Sequence, residues 1–477
     1  MGRATIKSGT INLLNTIIGA GILAMPYGIK SNGLLFGCIL VIWSSLTSAF
    51  GLYLQNKVAK YTDQRGVVSY FSLSQLTYPS LSILFDSAIS IKCFGVGVSY
   101  LVVIGDLMPK IMESLNVKPE SLWMHRNVWI TLFMVVIVAP LSFLKKLDSL
   151  KYTSVVALFS VVYLICLVME HYLLRDVPVV DKHIDYIGPV SVKATLSSFP
   201  IFVFAYTCHQ NMFAIINELK PCDEDGSQTR QSNHIIRNAI STACVSYLVV
   251  GIFGYLTFGD TVNGNIITMY PRNSVTSLIG RLSIVIMVSL SYPLQCHPCR
   301  GSINHVIHFL TEGVQSSKIR SSSNTPSRQN YTALSSDIES LHSIQSDSSI
   351  GADESFISTT PMEGAQDTEG HDPIIVPLTS KRFYIITAGI VVLSYLVAVT
   401  VTSLEHVLAF VGSTGSTSIS FILPGLFGFM LIKPLNGATK LNCLEKFCKY
   451  GGLLLSIWGV AVMVVCLGVT ILLGVTH

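Results

Sequence analysis

Apolar residues in this chain come in long unbroken runs rather than at the spacing of an amphipathic helix or strand. Residues 8–29, 31–56, 127–144, 152–169, 194–217, 238–259, 383–404, 407–432 and 450–476 contain no Asp, Glu, Lys or Arg. Each is long enough to cross about 30 Å of hydrocarbon as an α-helix. Two more runs are marked by charge: 84–107 holds Lys92 near its middle, and 275–298 holds Arg281 near one end. The pattern predicts an all-α polytopic membrane protein with eleven spans. Helix is expected because a segment in lipid must satisfy its backbone N–H and C=O groups internally.

Composition narrows the class. Half of the 477 residues are hydrophobic and only 12% are charged, about half the charged share of a soluble domain. That excludes cytosolic enzymes, nucleic-acid readers, disordered scaffolds and secreted disulfide proteins. The net charge of +4 decides nothing, but its placement does. With the N-terminus in the cytosol, 21 of the 31 Lys and Arg fall on the cytosolic side, nine on the other, and Lys92 within a span. The positive-inside rule therefore puts the N-terminus in the cytosol and, after eleven spans, the C-terminus on the opposite face. Arg3 and Lys7 before the first apolar run give it the look of a signal peptide, but it is too long for one, and an uncleaved first helix is expected. None of the eleven cysteines falls in a non-cytosolic loop, so no disulfide framework is expected. Cys296 and Cys299 have the spacing of a metal or redox pair, but no two further ligands are spaced to complete a zinc site.

Three regions follow: spans one to eight in 1–300, a loop over 301–380, and the last three spans in 381–477. The loop is polar and Ser-rich, as in SSSNTPSRQN and HSIQSDSSIGADES. It lacks the aliphatic content for a packed core, which predicts a disordered cytosolic tether and a place for phosphorylation or cytosolic regulators. It also carries the chain's only N-x-[ST] sequon, at Asn330, which this topology keeps from glycosylation.

The first and sixth spans carry helix breakers at mid-depth. The first reads NLLNTIIGAGILAMPYG, with Gly19, Ala20 and Gly21 at its centre. Two glycines cost about 1 kcal/mol each relative to alanine in a helix, and they bare backbone N–H groups. The sixth reads SSFPIFVFAYTCHQNMF: Pro200 lacks an N–H and is expected to disrupt the first turns, and Ala205, Tyr206, Thr207, Cys208 and His209 gather polar groups. Either alone fits ordinary helix packing. Together, at the first and sixth of ten core spans, they match a five-plus-five inverted repeat, whose half-helix ends form a midplane substrate site. Half-helix N–H groups would receive a carboxylate and unwound carbonyls an ammonium or cation. A zwitterionic amino acid presents both.

These stretches, NLLNTIIGAGILAMPYGIKSNG and FPIFVFAYTCHQNMFAIINEL, together with GYLTFGDTVNGNII and SISFILPG, resemble the amino acid/auxin permease family. Within it the chain is most similar to fungal vacuolar amino acid transporters, with the sodium-coupled neutral amino acid transporters of animals more distant. The resemblance covers nearly all of 5–475 outside the Ser-rich loop. It implies the leucine-transporter-like fold, a vacuolar multi-pass location (the plasma membrane being the alternative), and secondary active transport of amino acids. The expected substrate is neutral, such as glutamine, moved from lumen to cytosol with protons. A sensor that binds an amino acid without moving it and a sodium-coupled symporter are the alternatives.

Candidate residues follow. Gly19, Ala20 and Gly21 offer amides to the substrate carboxylate, which Tyr100 of the third span would cap. Ala205, Tyr206 and Thr207 offer groups to the ammonium and side chain. The resemblance matches Asn15 to an Asn that helps hold sodium in animal relatives, with the carbonyl near Ile18 and the hydroxyls of Ser289 and Ser291 as partners. For a proton, His209 is one candidate, with an ordinary imidazole pKa near 6.5. Lys92 is the other, unless it snorkels or pairs with Asp86. His171 and Asp176 form an H-x4-D pattern known from membrane acyltransferases, but no cluster of glycines or arginines supports it, and chance spacing is expected. The reading is of a transporter rather than an enzyme. It needs no cofactor beyond a coupling H+ or Na+, and its partners are a small-molecule amino acid and the lipid bilayer, with no nucleic acid.

Overall fold

A computed structural model describes residues 5–60, 68, 70–77, 81–144, 153–177, 182–219, 227–320, 378–434 and 441–475. No β-sheet forms among them. The chain divides into two compact units: Met1–Val306 with Gln366–His477, and Ile307–Ala365. Of the second, only the end of a helix lies within the described residues.

In the first unit the helices follow the apolar runs. The first is Ile6–Ile17, then a 3-10 turn Ala20–Ala24 and Met25–Lys30; the second is Leu34–Ala59 and the third Leu81–Ser114. The fourth begins at Arg126–Phe133, passes through a π turn and closes at Ala139–Ser142; the fifth is Thr153–Leu174. The sixth is split into Val192–Ala205 and Met212–Glu218, and the seventh is Ser227–Phe258. The eighth, Val275–Arg320, runs on into the segment expected to be loop, and residues 321–377 lie outside the described residues. The ninth is Ser380–Thr400; the tenth runs from Leu404–Val411 through π turns Gly412–Ser416 and Ser418–Ile422 into Leu423–Leu431; the eleventh is Cys443–Val475.

By length and apolarity, nine of the described helices, or ten with the bent first pair taken as one crossing, suffice to span a bilayer. Arg126–Ser142, the expected fourth span, is shorter. Large apolar side chains stay exposed on the helix flanks, among them Trp43, Phe159, Ile385 and Leu454. A surface of that kind suits hydrocarbon as its solvent and not water.

One joint sets up the site. Gly33, at φ +82°, turns the chain from the first helix into the second, and a side chain there would run into the backbone of Gly188. The loop around Gly188 supplies the carbonyls of Asp185, Tyr186 and Ile187 to the amides of Leu34, Leu35 and Phe36. Those amides are orphans of a helix start. The loop before the sixth helix thus caps the second.

Candidate functional site

Both expected interruptions are present, so the helices designed to break do break. The two pieces of the first helix meet at 50°. Ile18 is extended (φ −85°, ψ 96°) and Gly19 lies outside the helical region (φ −131°, ψ −141°). The amides of Gly19, Ala20 and Gly21 make no hydrogen bond among the described residues. In the sixth helix the regular turns stop at Ala205, and a 3-10 turn at His209–Asn211 starts the second piece. Pro200 does not disrupt the first turns as expected. It sits inside Val192–Ala205, and its carbonyl faces Gly412 so closely that a Cβ there would fall 2.0 Å away.

The two breaks lie against each other. A Cβ on Gly21 would come within 3.0 Å of Ala205 Cα and Cβ, and one on Gly19 within 3.2 Å of the Tyr100 hydroxyl. Tyr100, buried on the third helix, thus lies against the first-helix break. On the far side the pieces are stitched pairwise. Asn32 Nδ2, at the end of the first helix's second piece, donates to Ser198 Oγ of the sixth helix's first piece at 2.8 Å. Asn211 Nδ2, leading into the sixth helix's second piece, donates to Thr16 Oγ1 of the first helix's first piece, also at 2.8 Å.

The carbonyls freed at the sixth-helix break are met by other helices. Ser48 Oγ of the second helix donates to Tyr206 O at 3.0 Å, and Tyr70 Oη donates to His209 O at 3.1 Å. Tyr247 Oη of the seventh helix lies 2.8 Å from both Ile17 O and Ala205 O. The Tyr247 ring stands edge-on to Tyr206, centroids 5.0 Å apart. Thr207 is buried with its proton committed to Val203 O at 2.7 Å, and it accepts from Ser420 Oγ of the tenth helix at 3.2 Å. Ser48, Tyr70, Tyr247 and Ser420 are absent from the sequence-based candidates. Ser48 and Tyr247 sit in helices of unremarkable pattern, Tyr70 in the short helix Tyr70–Leu76 and Ser420 in the SISFILPG stretch, and only the fold brings them to the breaks.

His209 is fully buried, with Nε2 3.1 Å from Ser48 O, so Nε2 carries the hydrogen. Its Nδ1 is buried without a hydrogen-bond partner among the described residues. Gly51 makes room for this ring: a Cβ there would lie 2.8 Å from His209 Nε2 and 2.3 Å from Ser420 O. Lys92, 2% exposed, neither snorkels nor pairs with Asp86. Asp86 faces His305 instead at 3.4 Å, and Lys92 has no ion pair or hydrogen bond to its ammonium among the described residues. It packs on Gly415 in the tenth helix's π turn, within electrostatic reach of Cys208 and His209. The tenth helix's widened turns, which the sequence does not disclose, are what allow this approach.

The set matched to sodium is not drawn together by hydrogen bonds. Asn15 Nδ2 is buried and unpartnered, Ser289 Oγ donates to Val285 O of its own helix at 2.6 Å, and Ser291 is half-buried. Cys299, for its part, donates to Ser90 O.

Two outlying motifs also resolve. His171 and Asp176 do pair, contrary to the chance reading: Nδ1 is 2.9 Å from the carboxylate, Nε2 is 2.9 Å from Ser277 Oγ, and the ring stacks on Tyr270. Ser277 is fully buried, so this series ties the fifth helix to the eighth and offers no hydroxyl to a substrate. Arg281, near one end of the eighth apolar run, is 1% exposed and holds the carbonyls of Ile267 and Tyr270 and the hydroxyl of Ser114. Glu405 sits in the first turn of the tenth helix.

Known proteins resemble this architecture. Residues 2–465 match the family described as transmembrane amino acid transporter protein. The chain is 44% identical to "Vacuolar amino acid transporter 6" of Saccharomyces cerevisiae, over 97% of this chain and 98% of that one. It is 39% identical to "Vacuolar amino acid transporter 5" of the same yeast, over 99% of each. Among solved structures it is similar to MhsT in complex with L-phenylalanine, at TM-score 0.52 and 10% identity, covering 97% of this chain and 98% of that one. At that identity the likeness is one of fold: the leucine-transporter-like arrangement with broken first and sixth helices.

Proposed function

The chain belongs to the transmembrane amino acid transporter family, and from that premise we propose that it carries amino acids across the vacuolar membrane, from lumen to cytosol, in symport with protons. One observation carries the reading. Two helices break side by side, one baring the amides of Gly19, Ala20 and Gly21 and the other releasing the carbonyls of Ala205 and Tyr206 from the helix ladder, each with a lone pair left beyond its bond to Tyr247 or Ser48, and with the Tyr100 hydroxyl set against Gly19. The amides and Tyr100 receive the α-carboxylate, and the carbonyls at Ala205 and Tyr206 receive the ammonium. The substrate side chain is neutral and small enough to lie among Tyr206, Thr207 and their neighbours. The vacuolar setting rests on the names of the yeast relatives.

The proton reading rests on Lys92 and His209, a buried amine and a buried imidazole beside the sixth-helix break. Intramembrane ionisable groups without partners mark ion pathways by default. The alternative set of Asn15, Ile18, Ser289 and Ser291 would offer sodium an amide oxygen, a carbonyl and two hydroxyls.

Lys92 also favours a second reading, in which its unpaired ammonium receives the side-chain carboxylate of an acidic amino acid. Counterflow from proteoliposomes loaded in turn with glutamine and glutamate, with and without sodium, and with an imposed pH gradient, tests both. Glutamine movement that responds to pH and ignores sodium supports the first reading; exclusive glutamate movement replaces it with the second. Binding without movement makes the protein a sensor and overturns both.

A further inference from the structure

The seventh helix supplies a residue to which nothing so far assigns a role. Tyr247 is completely buried, and its hydroxyl lies 2.8 Å from Ile17 O and 2.8 Å from Ala205 O. In unbroken helices these two carbonyls would accept from the amides of Gly21 and His209, four residues on. The breaks remove both donors, and the two orphaned acceptors end up facing one phenol. A phenol has one proton, so it donates to one carbonyl at a time while its oxygen stays in van der Waals contact with the other. Each carbonyl is the last of its half-helix, where the backbone dipole is negative. Without the proton, two like partial charges would meet in a water-poor interior.

We propose that Tyr247 is a positioning residue that registers the two breaks to each other, its single shared proton fixing the distance between the ends of Ile6–Ile17 and Val192–Ala205. This rests on the substrate site proposed above. The amides of Gly19–Gly21 and the carbonyls at Ala205 and Tyr206 recognise one zwitterion only if their separation is held, and Tyr247 is the group that touches both sides of that gap. The Tyr206 ring, edge-on to Tyr247, keeps the phenol in line. A tyrosine that merely filled space would need no hydroxyl here.

The test is Tyr247→Phe in reconstituted vesicles, with Tyr247 replaced by 3-fluorotyrosine through suppression of a nonsense codon as the milder variant. KM for the transported amino acid should rise about tenfold in the phenylalanine variant, matching one buried hydrogen bond, while maximal velocity stays within about twofold. The fluorinated phenol, a stronger donor of the same shape, should shift KM with unchanged thermal stability. Hydrogen–deuterium exchange without substrate gives a readout independent of the transported solute. Peptides covering 17–22 and 205–211 should exchange faster together in Tyr247→Phe, with the ninth helix unaffected as control. If the phenylalanine variant does not insert, the fluorotyrosine exchange and KM data decide alone. Unchanged KM and unchanged exchange at both breaks, or a response at only one break, overturns the role of Tyr247. Coupled exchange at both breaks in a protein that moves no amino acid leaves Tyr247 as the registering group and removes the transport reading.

Discussion

Gly21 shows how narrow the site is. Its missing side chain lets the first helix lie against Ala205, where a Cβ would come within 3.0 Å of backbone. Gly21→Ala therefore forces the two breaks apart at a cost of about 1–3 kcal/mol, and uptake assays should show a higher KM with little loss of protein. Gly21→Leu should abolish transport outright. Lys92 belongs to the same scale. Lys92→Gln removes the charge and keeps an unbranched polar side chain one atom shorter, so uptake driven by an imposed pH gradient should fall to background while equal-concentration exchange persists; loss of both would make Lys92 a substrate contact instead. Glycine carries its helix cost visibly in any sequence, which is why 19–21 stood out. Tyr247 did not, because a tyrosine in an apolar helix reads alike whether it fills space or holds two carbonyls. Asp86 was an unsuitable partner for Lys92 even on paper: six residues away at about 3.6 per turn, it lies on the far side of the helix.

At the scale of elements, the breaks were legible where composition punctuates the helix and illegible where it does not. The first and sixth helices announce themselves by GAG and by a cluster of polar residues. Pro200 misled, since a proline in lipid-embedded helix is tolerated when its neighbours satisfy the freed backbone. The tenth helix hid its two π turns, because Gly412–Ile422 keeps a regular apolar and small-residue pattern while its hydrogen bonding shifts, as with Thr417 Oγ1 donating to Gly412 O at 2.6 Å. Those turns place Gly412 on the Pro200 carbonyl and Gly415 on the backbone of Lys92. Gly412→Ala meets backbone that has nowhere to go, and purified protein should unfold at a distinctly lower temperature than the wild type; an unchanged melting curve would show that this contact relaxes freely. The eighth helix carried a different surprise, continuing to Arg320 through sequence whose polarity suggested a loop.

For the whole molecule, apolar runs and the asymmetry of Lys and Arg were enough to predict a polytopic helical protein, since hydrocarbon permits so few alternatives. Where the termini lie follows from charge alone and is directly measurable. A tag at the N-terminus should be protease-accessible in intact vacuoles and one at the C-terminus protected, and Asn330 should carry no glycan. Reversed accessibility would invert the assignment of lumenal and cytosolic sides without altering the packing described above. Which helices touch was beyond sequence, because contacts such as Asn56 to Asn233 or Arg126 to the carbonyls of Ala398 and Val401 join residues far apart in the chain.

The stitching of the four half-helices has a mechanical consequence. Asn32 clasps one pair of rods to each other through Ser198, Thr16 clasps the remaining pair through Asn211, and each pair contains one piece of either parent helix. Each clasp yokes a piece of one broken helix to a piece of the other, so displacing either piece strains the hydrogen bond that holds its counterpart.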